Sequence, residues 1–163
     1  DGVAFVNEIL PQTSSQYILQ KVVVGFLFGS LSSVATAWIC FRLSWQNLGL
    51  MLALIVLSSF VAALIGLFIG RFSEGLMIGV VYIKIVMLVF LAVPILCALI
   101  GVSGPLAVIC SLVPSQPAFE GIMALSAGRT GTAMKDVGIL AIHCIVWFAL
   151  YVLLSMQHRK QTI

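Results

Sequence analysis

Long apolar runs separated by short polar segments set the pattern of this chain. The first uncharged run covers residues 22–41, and the second covers residues 48–70. A third apolar run covers residues 76–102, and a fourth covers residues 137–156. Because about 20 apolar residues in a helix cross the ~30 Å hydrocarbon layer of a bilayer, the pattern predicts four membrane-spanning helices.

Three residues interrupt the apolar character of the later runs. Lys84 lies within about two helical turns of the preceding polar loop, so its ammonium either reaches the membrane interface or serves as a gate. Pro94 predicts a kink or a break in the third helix. His143 is the ionisable residue of the fourth run, and it either lines a pathway or is satisfied by a neighbouring helix.

The segment between the third and fourth runs, residues 104–127, is apolar in pieces that are too short to cross a bilayer. Residues 106–113 would form only about 12 Å of helix. Two prolines, Pro114 and Pro117, separate this piece from a second short apolar piece. The pattern predicts a re-entrant helical hairpin, and the alternative is a surface loop with a short buried helix. Glu120 is then either a solvated hairpin residue or, with the two prolines, part of an exit region.

The two ends of the chain are more polar than its middle. Residues 1–20 have the mixed character of an interfacial segment, residues 21–156 form the predicted transmembrane domain, and residues 157–163 form a basic tail. Four spans place both ends on one side of the membrane. Cytoplasmic loops carry an excess of lysine and arginine, and this rule places both ends in the cytoplasm and the hairpin on the outer side. The cations on the predicted cytoplasmic side are Lys21, Arg71, Arg159 and Lys160, and those on the outer side are Arg42, Arg129 and Lys135.

Small residues recur at a spacing of four in the first two predicted spans. Small side chains allow helix backbones to approach closely inside a membrane, where lipid removes the hydrophobic drive for association. These stripes predict a compact bundle or a helix-dimer face. The predicted packing residues are Gly25, Gly29 and Ser33 in the first span, and Ser58, Ala62, Gly66 and Gly70 in the second.

The composition agrees with a membrane protein and excludes several other classes. Hydrophobic residues make up 62% of the chain and charged residues only 8%, against about 25% charged in an ordinary soluble domain. The expected fold class is therefore an all-α polytopic helix bundle. A net charge of +3, without a basic run interleaved with aromatics, gives no sign of nucleic-acid binding. The four cysteines lie in apolar surroundings without a C-x-x-C pair, which favours buried hydrophobes over a metal site.

No arrangement of residues in the sequence indicates catalysis. The chain contains neither the H-E-x-x-H pattern of zinc proteases nor the G-x-x-x-x-G-K-[ST] loop that binds ATP phosphates. The expectation is that the chain is not an enzyme by itself. A lipid-modifying enzyme would have only His143 and scattered hydroxyls to use, so it ranks last among the possible functions.

The order of three segments resembles the C-terminal part of the membrane domain of type-2 ABC exporters. Residues 8–21, which end in Tyr17-Ile18-Leu19-Gln20-Lys21, are similar to the cytoplasmic segment that leads into a span in that family. The polar break at residues 71–75 matches a short cytoplasmic loop. Residues 112–120 resemble the external element in which a proline precedes a re-entrant helix. Within the family, the spacing is similar to that of fluoroquinolone-export permeases.

This resemblance implies the last four of six spans, a second permease copy or relative as dimer partner, and a separate cytoplasmic ABC ATPase that uses ATP and magnesium. The ATPase would couple to the spans through Tyr17, Lys21, Arg71 and Glu74. The cargo would be hydrophobic or amphipathic, drug-like or lipid-like, and the location would be the cell membrane of a bacterium or archaeon. The alternative function is a membrane scaffold or assembly subunit that transports nothing.

Overall fold

The structure is a computed structural model, and it describes residues 14–41, 47–73, 75–102 and 104–160. Within these ranges only the backbone is described for residues 14, 15, 17–19, 41, 76 and 155–160. The greater part of the predicted interfacial segment, residues 1–13, lies outside the described residues. Its last residues, from Ser14 onward, already belong to the first helix.

The described residues form six helices and no strand, so the predicted all-α fold class is confirmed. Four of the helices are long and apolar enough to cross a membrane, over Gln20–Cys40, Leu48–Phe72, Met77–Ile100 and Thr130–Leu154. The chain is therefore a multi-pass membrane protein. The helices in chain order are α1 (Ser14–Phe41), α2 (Leu48–Phe72), α3 (Leu76–Ile100), α4 (Pro105–Cys110), α5 (Ser115–Ser126) and α6 (Thr130–Lys160).

Glycine and proline determine where α3 stops and α4 begins. Gly101 has a φ of 65°, and its N–H donates to the carbonyl of Cys97 at 3.1 Å, which closes the last turn of α3. A left-handed residue at this position is usual for a helix C-terminus, and glycine adopts it without steric cost. Pro105 then starts α4, where its missing N–H is not needed. At Pro94 the helix is not broken, because α3 continues to Ile100.

The last helix begins at Thr130, ahead of the apolar run that starts at residue 137. Its first turns include Ala133, which is fully buried, and Asp136, which is only 4% exposed. These turns are packed against α5, so tertiary contact extends the helix beyond the apolar run. α6 also continues to Lys160 and so includes the start of the predicted tail.

α2 is the central helix of the bundle. It packs against α1, α3, α5 and α6, and α5 packs in turn against α6 and α3. In α2, 33% of the most apolar window is buried, against 6% in α1 and 11% in α3 and in α6. The main buried cluster brings together α1, α2, α5 and α6 through Ala37, Met51, Leu54, Ile55, Ala124, Leu125, Ala133 and Leu140.

Large apolar side chains remain exposed on most of α1 and α3. In water such a surface would drive aggregation, whereas lipid solvates it without cost. The cysteines differ among themselves in this respect. Cys97 and Cys144 are buried and Cys110 is half-buried, but Cys40 is exposed on α1 and is not the buried residue that its apolar surroundings predicted.

Candidate functional site

A cavity of about 290 Å³ lies between α1, α2, α3 and the start of α5. Small residues create it, because they leave space between helices that larger side chains would fill. Phe90 contributes the wall on α3. The other walls include Gly29, Ser33, Ser58, Ala62, Pro114 and Ser115, all but the last of which were singled out from the sequence.

The cavity wall is apolar with a few hydroxyl groups, and every described residue that lines it is uncharged. The Ser58 hydroxyl is already used, because it donates to the carbonyl of Leu54 at 2.7 Å. The Ser115 hydroxyl oxygen is buried and has no hydrogen-bond partner among the described residues. Because a buried hydroxyl without a partner is costly, Ser115 is the group of this wall most ready to bind a polar atom of a guest molecule.

The contact between α1 and α2 places small residues opposite one another. A Cβ atom built on Gly25 would lie 3.9 Å from the Cβ of Ala63, and one built on Gly29 would lie 3.7 Å from the Cβ of Ser59. The row of α2 that meets these glycines is therefore Ser59 and Ala63. It lies one position away from the stripe of Ser58 and Ala62. Both residues of that stripe line the cavity, and so does Ser59.

The second half of the α2 stripe faces away from the bundle. Gly66 and Gly70 are exposed, and a Cβ on either would meet no atom within 4 Å among the described residues. Their role in helix packing stays a prediction, since no described residue packs against them within that distance. They present a small-residue surface that is open to lipid or to another helix.

The same two contacts fix the register of α1 against α2. Four residues forward along α1 correspond to four residues backward along α2, so the two helices are antiparallel. Extending this register by one and two turns places Lys21 level with Leu67 and the backbone of Tyr17 level with Arg71. Three of the four predicted coupling residues thus lie at one end of the bundle, and the fourth, Glu74, lies outside the described residues.

Arg71 links α2 to the last helix at this end of the bundle. Its Nη2 atom donates to the carbonyl oxygen of Leu154 in α6 at 3.1 Å. Lys21 is exposed on α1. At this end α2 therefore contacts α6 and lies beside α1, while the coupling role itself stays a prediction.

The hairpin before the last span consists of two helices, α4 and α5, joined by the turn at residues 111–114. Pro114 and Pro117 are buried, and Pro114 also forms part of the cavity wall. Glu120 is exposed and lies in the middle of α5, not at its start. Two short helices therefore occupy the predicted segment, and their arrangement as a re-entrant hairpin and their role as an exit region stay predictions.

His143 lies in α6 and contacts this turn. Its Nε2 atom is 2.8 Å from the carbonyl oxygen of Ser111. Because a carbonyl oxygen only accepts hydrogen bonds, Nε2 carries the proton in this contact. The structure therefore agrees with the alternative in which a neighbouring group satisfies the His143 side chain. That group lies in the turn between α4 and α5 and not in a neighbouring helix.

Two buried residues at the α5–α6 contact were missed in the sequence. A Cβ atom on Gly121 would lie 2.8 Å from Cδ2 of Leu54 and 3.2 Å from the Cβ of Asp136, so any larger residue there would force the Leu54 side chain or the helix to shift. Asp136 is 4% exposed, and its Oδ2 atom has no hydrogen-bond partner among the described residues. A charged pair, Lys135-Asp136, just before an apolar run was the available signal for an intramembrane carboxylate.

Comparison with known proteins gives one significant match. A family model described as "ABC-2 family transporter protein" matches residues 10–153. The matched region includes the cavity wall, the hairpin, His143 and Arg71, and it covers most of the chain. No curated protein and no solved structure matches the chain significantly.

Proposed function

Because this chain belongs to the ABC-2 transporter family, whose members are membrane transport permeases, we propose that it is the permease subunit of an ATP-driven exporter. Its cargo is a hydrophobic or amphipathic molecule, drug-like or lipid-like, which it moves outward across the cell membrane. The family model and the four apolar helices support the membrane transport role. The direction, the cargo class and the energy source are the proposed part.

The cavity between α1, α2, α3 and α5 carries the cargo assignment. Ligand sites are concave, mostly apolar and fitted with a few polar groups, and their volumes begin near 300 Å³. This cavity has about that volume, and its wall is apolar with four serines. An ionic cargo would lack a compensating charge on the described wall, whereas an uncharged or amphipathic molecule would bury its apolar part and use the Ser115 hydroxyl.

The energy is supplied by a separate cytoplasmic ABC ATPase, which binds ATP and magnesium. The end of the bundle with Tyr17, Lys21, Arg71 and Glu74 is the proposed contact with that subunit. A partner shifts a conformational equilibrium only if it contacts the two states differently. Arg71 supports this location, because its bond to Leu154 makes the contact between α2 and α6 depend on the position of this end.

A second permease copy, or a relative, completes the transporter as a dimer. The exposed apolar faces of α1 and α3 and the open small-residue surface at Gly66 and Gly70 provide area for a partner helix. The orientation follows the distribution of basic residues, with both chain ends in the cytoplasm and the hairpin outside. The proposed membrane is the plasma or inner membrane of a bacterium or archaeon.

Cavity filling tests the transport proposal. Ala62 lines the cavity, so Ala62→Phe places a ring in the space where cargo would bind. Ala149→Phe adds the same atoms to an exposed position of α6 and is the matched control. The protein is purified in mild detergent with its co-purifying ATPase and returned to vesicles. Cargo-stimulated ATP hydrolysis and cargo transport are then measured for both variants.

We expect a co-purifying ATPase, and a loss of about tenfold or more in transport for Ala62→Phe with little change for Ala149→Phe. A tenfold loss corresponds to about 1.4 kcal/mol of cargo binding, which is less than burial of one large apolar group contributes. Equal transport by both variants would show that the cavity is not the cargo site. A preparation without any ATPase would exclude the ATP-driven mechanism.

The competing function is a membrane scaffold or assembly subunit that transports nothing. The open surface at Gly66 and Gly70 would serve it as well, because small residues without a partner among the described residues suit association with another helix. A scaffold would tolerate Ala62→Phe, whereas the exporter would lose transport. Gly66→Leu would remove a partner helix under either function, so the Ala62→Phe variant, with partner capture as the check that the assembly is intact, separates the two functions.

A further inference from the structure

The thiol groups of Cys97 and Cys110 lie against each other, with their Sγ atoms 2.7 Å apart. Cys97 is buried about one turn before the end of α3, and Cys110 is the half-buried last residue of α4. A disulfide bond has an S–S length of about 2.05 Å, so these two sulfur atoms need to move by less than 1 Å to bond. Neither Cys40 nor Cys144 has a thiol neighbour among the described residues.

Burial of side chains contributes little to the stability of α4. It has six residues, none of them buried, and it contacts mainly α3. A helix of this length is not stable by itself. Two contacts at its C-terminal end fix it, namely the pair of Cys110 with Cys97 and the bond from His143 to the carbonyl of Ser111. The first of these contacts can be made covalent.

We propose that Cys97 and Cys110 form a disulfide bond in the membrane-bound protein, and that this bond clamps α4 to α3. The proposal rests on the orientation given in the proposed function, which places this end of α3 and the hairpin on the outer side. Disulfides form and persist in extracytoplasmic, oxidising surroundings. The clamp would fix the hairpin four residues before Pro114, where the chain enters the cavity wall.

The chemistry of closure is thiol–disulfide exchange with an oxidised dithiol oxidoreductase outside the membrane. The half-buried thiol of Cys110 loses a proton and attacks one sulfur of the oxidant, which forms a mixed disulfide. The Cys97 thiol then loses its proton and attacks the Cys110 sulfur, and the oxidant leaves as a thiolate. The two cysteines lose two electrons and two protons in total, and the oxidant gains them as a dithiol.

The decisive measurement is the state of these thiols in native membranes. Cells are treated with an alkylating maleimide before lysis, the full-length protein is purified without reductant, and its peptides are analysed by mass spectrometry. We expect a peptide pair joined through Cys97 and Cys110, lighter by two hydrogens than the free thiols and lost on reduction. Recovery of both cysteines as alkylated thiols would overturn the proposal.

One control separates the clamp from the orientation on which it rests. A membrane-impermeant maleimide applied to intact cells labels Cys40, at the outer end of α1, if the orientation is correct. Labelled Cys40 together with free Cys97 and Cys110 thiols would overturn the clamp while the orientation stands. Unlabelled Cys40 with free thiols would show that the orientation, and the clamp with it, is wrong.

The mechanical consequence is tested by hydrogen exchange of the purified full-length protein. Reduction should decrease the protection of backbone amides in residues 106–113 of the wild type. In Cys97→Ala the protection should be low from the start and unchanged by reductant, whereas Cys40→Ala should behave as the wild type. Equal protection in all three proteins, with and without reductant, would show that the pair does not clamp α4.

Discussion

The Nε2 atom of His143 lies 2.8 Å from the carbonyl oxygen of Ser111, so a side chain of α6 holds the turn between α4 and α5. The same turn leads directly into Pro114 and Ser115, which form part of the cavity wall. The ionisable residue in the middle of the last apolar run therefore acts on the hairpin. It contacts the turn that leads into the cavity wall and does not itself line the cavity.

Replacing His143 tests this support. His143→Leu removes the donor and leaves the half-buried Ser111 carbonyl unsatisfied, so we expect it to destabilise the protein by about 1–3 kcal/mol. His143→Gln keeps an N–H donor at similar reach and should recover part of that loss. Thermal unfolding in detergent compares the two variants with the wild type. Equal unfolding temperatures for Leu and Gln would show that the hydrogen bond contributes nothing.

The contact of Gly121 with Leu54 predicts a cost for a single added methyl group. Gly121→Ala would place its Cβ 2.8 Å from Cδ2 of Leu54, so the side chain or the helix must shift, at about 1–3 kcal/mol. Denaturation in a detergent series measures this loss. Gly138→Ala is the matched control in α6, because a Cβ there meets no atom within 4 Å and alanine favours a helix.

A second change in the same background identifies the cause. Leu54→Ala alone should destabilise by about 2–5 kcal/mol, since Leu54 is fully buried. Combined with Gly121→Ala it should cost less than the sum of the two single changes, because the small residue makes room for the new methyl group. Additive costs would place the effect of Gly121→Ala somewhere other than this contact.

The contact of Arg71 with Leu154 predicts that coupling to the ATPase can be lost while the protein remains folded. Arg71→Ala removes the bond to the Leu154 carbonyl, and a hydrogen bond from a charged donor contributes roughly 1.5–3 kcal/mol. We expect cargo-stimulated ATP hydrolysis to fall by about tenfold or more while the protein remains folded. Lys84→Ala, which removes an exposed cation from α3, is the control. The same loss in both variants would attribute the effect to charge alone.

The spacing between α1 and α2 predicts a graded response at Gly29. Its Cβ would meet Ser59 at 3.7 Å, which is ordinary contact, so Gly29→Ala should change stability by less than about 1 kcal/mol. Gly29→Leu must push the helices apart or fill the cavity, and should cost more and reduce transport. Unfolding in detergent and transport in vesicles are measured for both. Equal effects of alanine and leucine would contradict the close approach.

Much of the architecture could be predicted from the sequence, because the bilayer imposes a simple length rule. The apolar runs and their polar breaks predicted four long helices. The proline pair indicated a hairpin, since residues 106–113 are too few to cross a membrane. The small residues at Gly29, Ser33, Ser58 and Ala62 were visible as stripes, and the structure places all four at the cavity.

The remaining features depend on which helices become neighbours. The periodicity of residue types along the sequence does not indicate which helices these are. A spacing of four places Ser58 and Ala62 on one face but does not distinguish it from the adjacent face of Ser59 and Ala63, which is rotated by about 100°. Gly121 and Asp136 are informative only once α5 lies on α6. The pairing of Cys97 with Cys110 likewise requires the turn at Gly101 and Gly104.

One continuous helix joins Arg71, at one end of the bundle, to the cavity. α2 carries Arg71 at one end of the bundle and the cavity residue Ala62 about 14 Å along its axis, with no loop or break between them. A stiff rod transmits displacement without the loss that a flexible joint would introduce. A displacement of the Arg71 end is therefore carried along α2 to the cavity wall. If the proposed ATPase contact lies at that end, its motion would reach the cavity as a change in shape, with no separate residue needed to relay it.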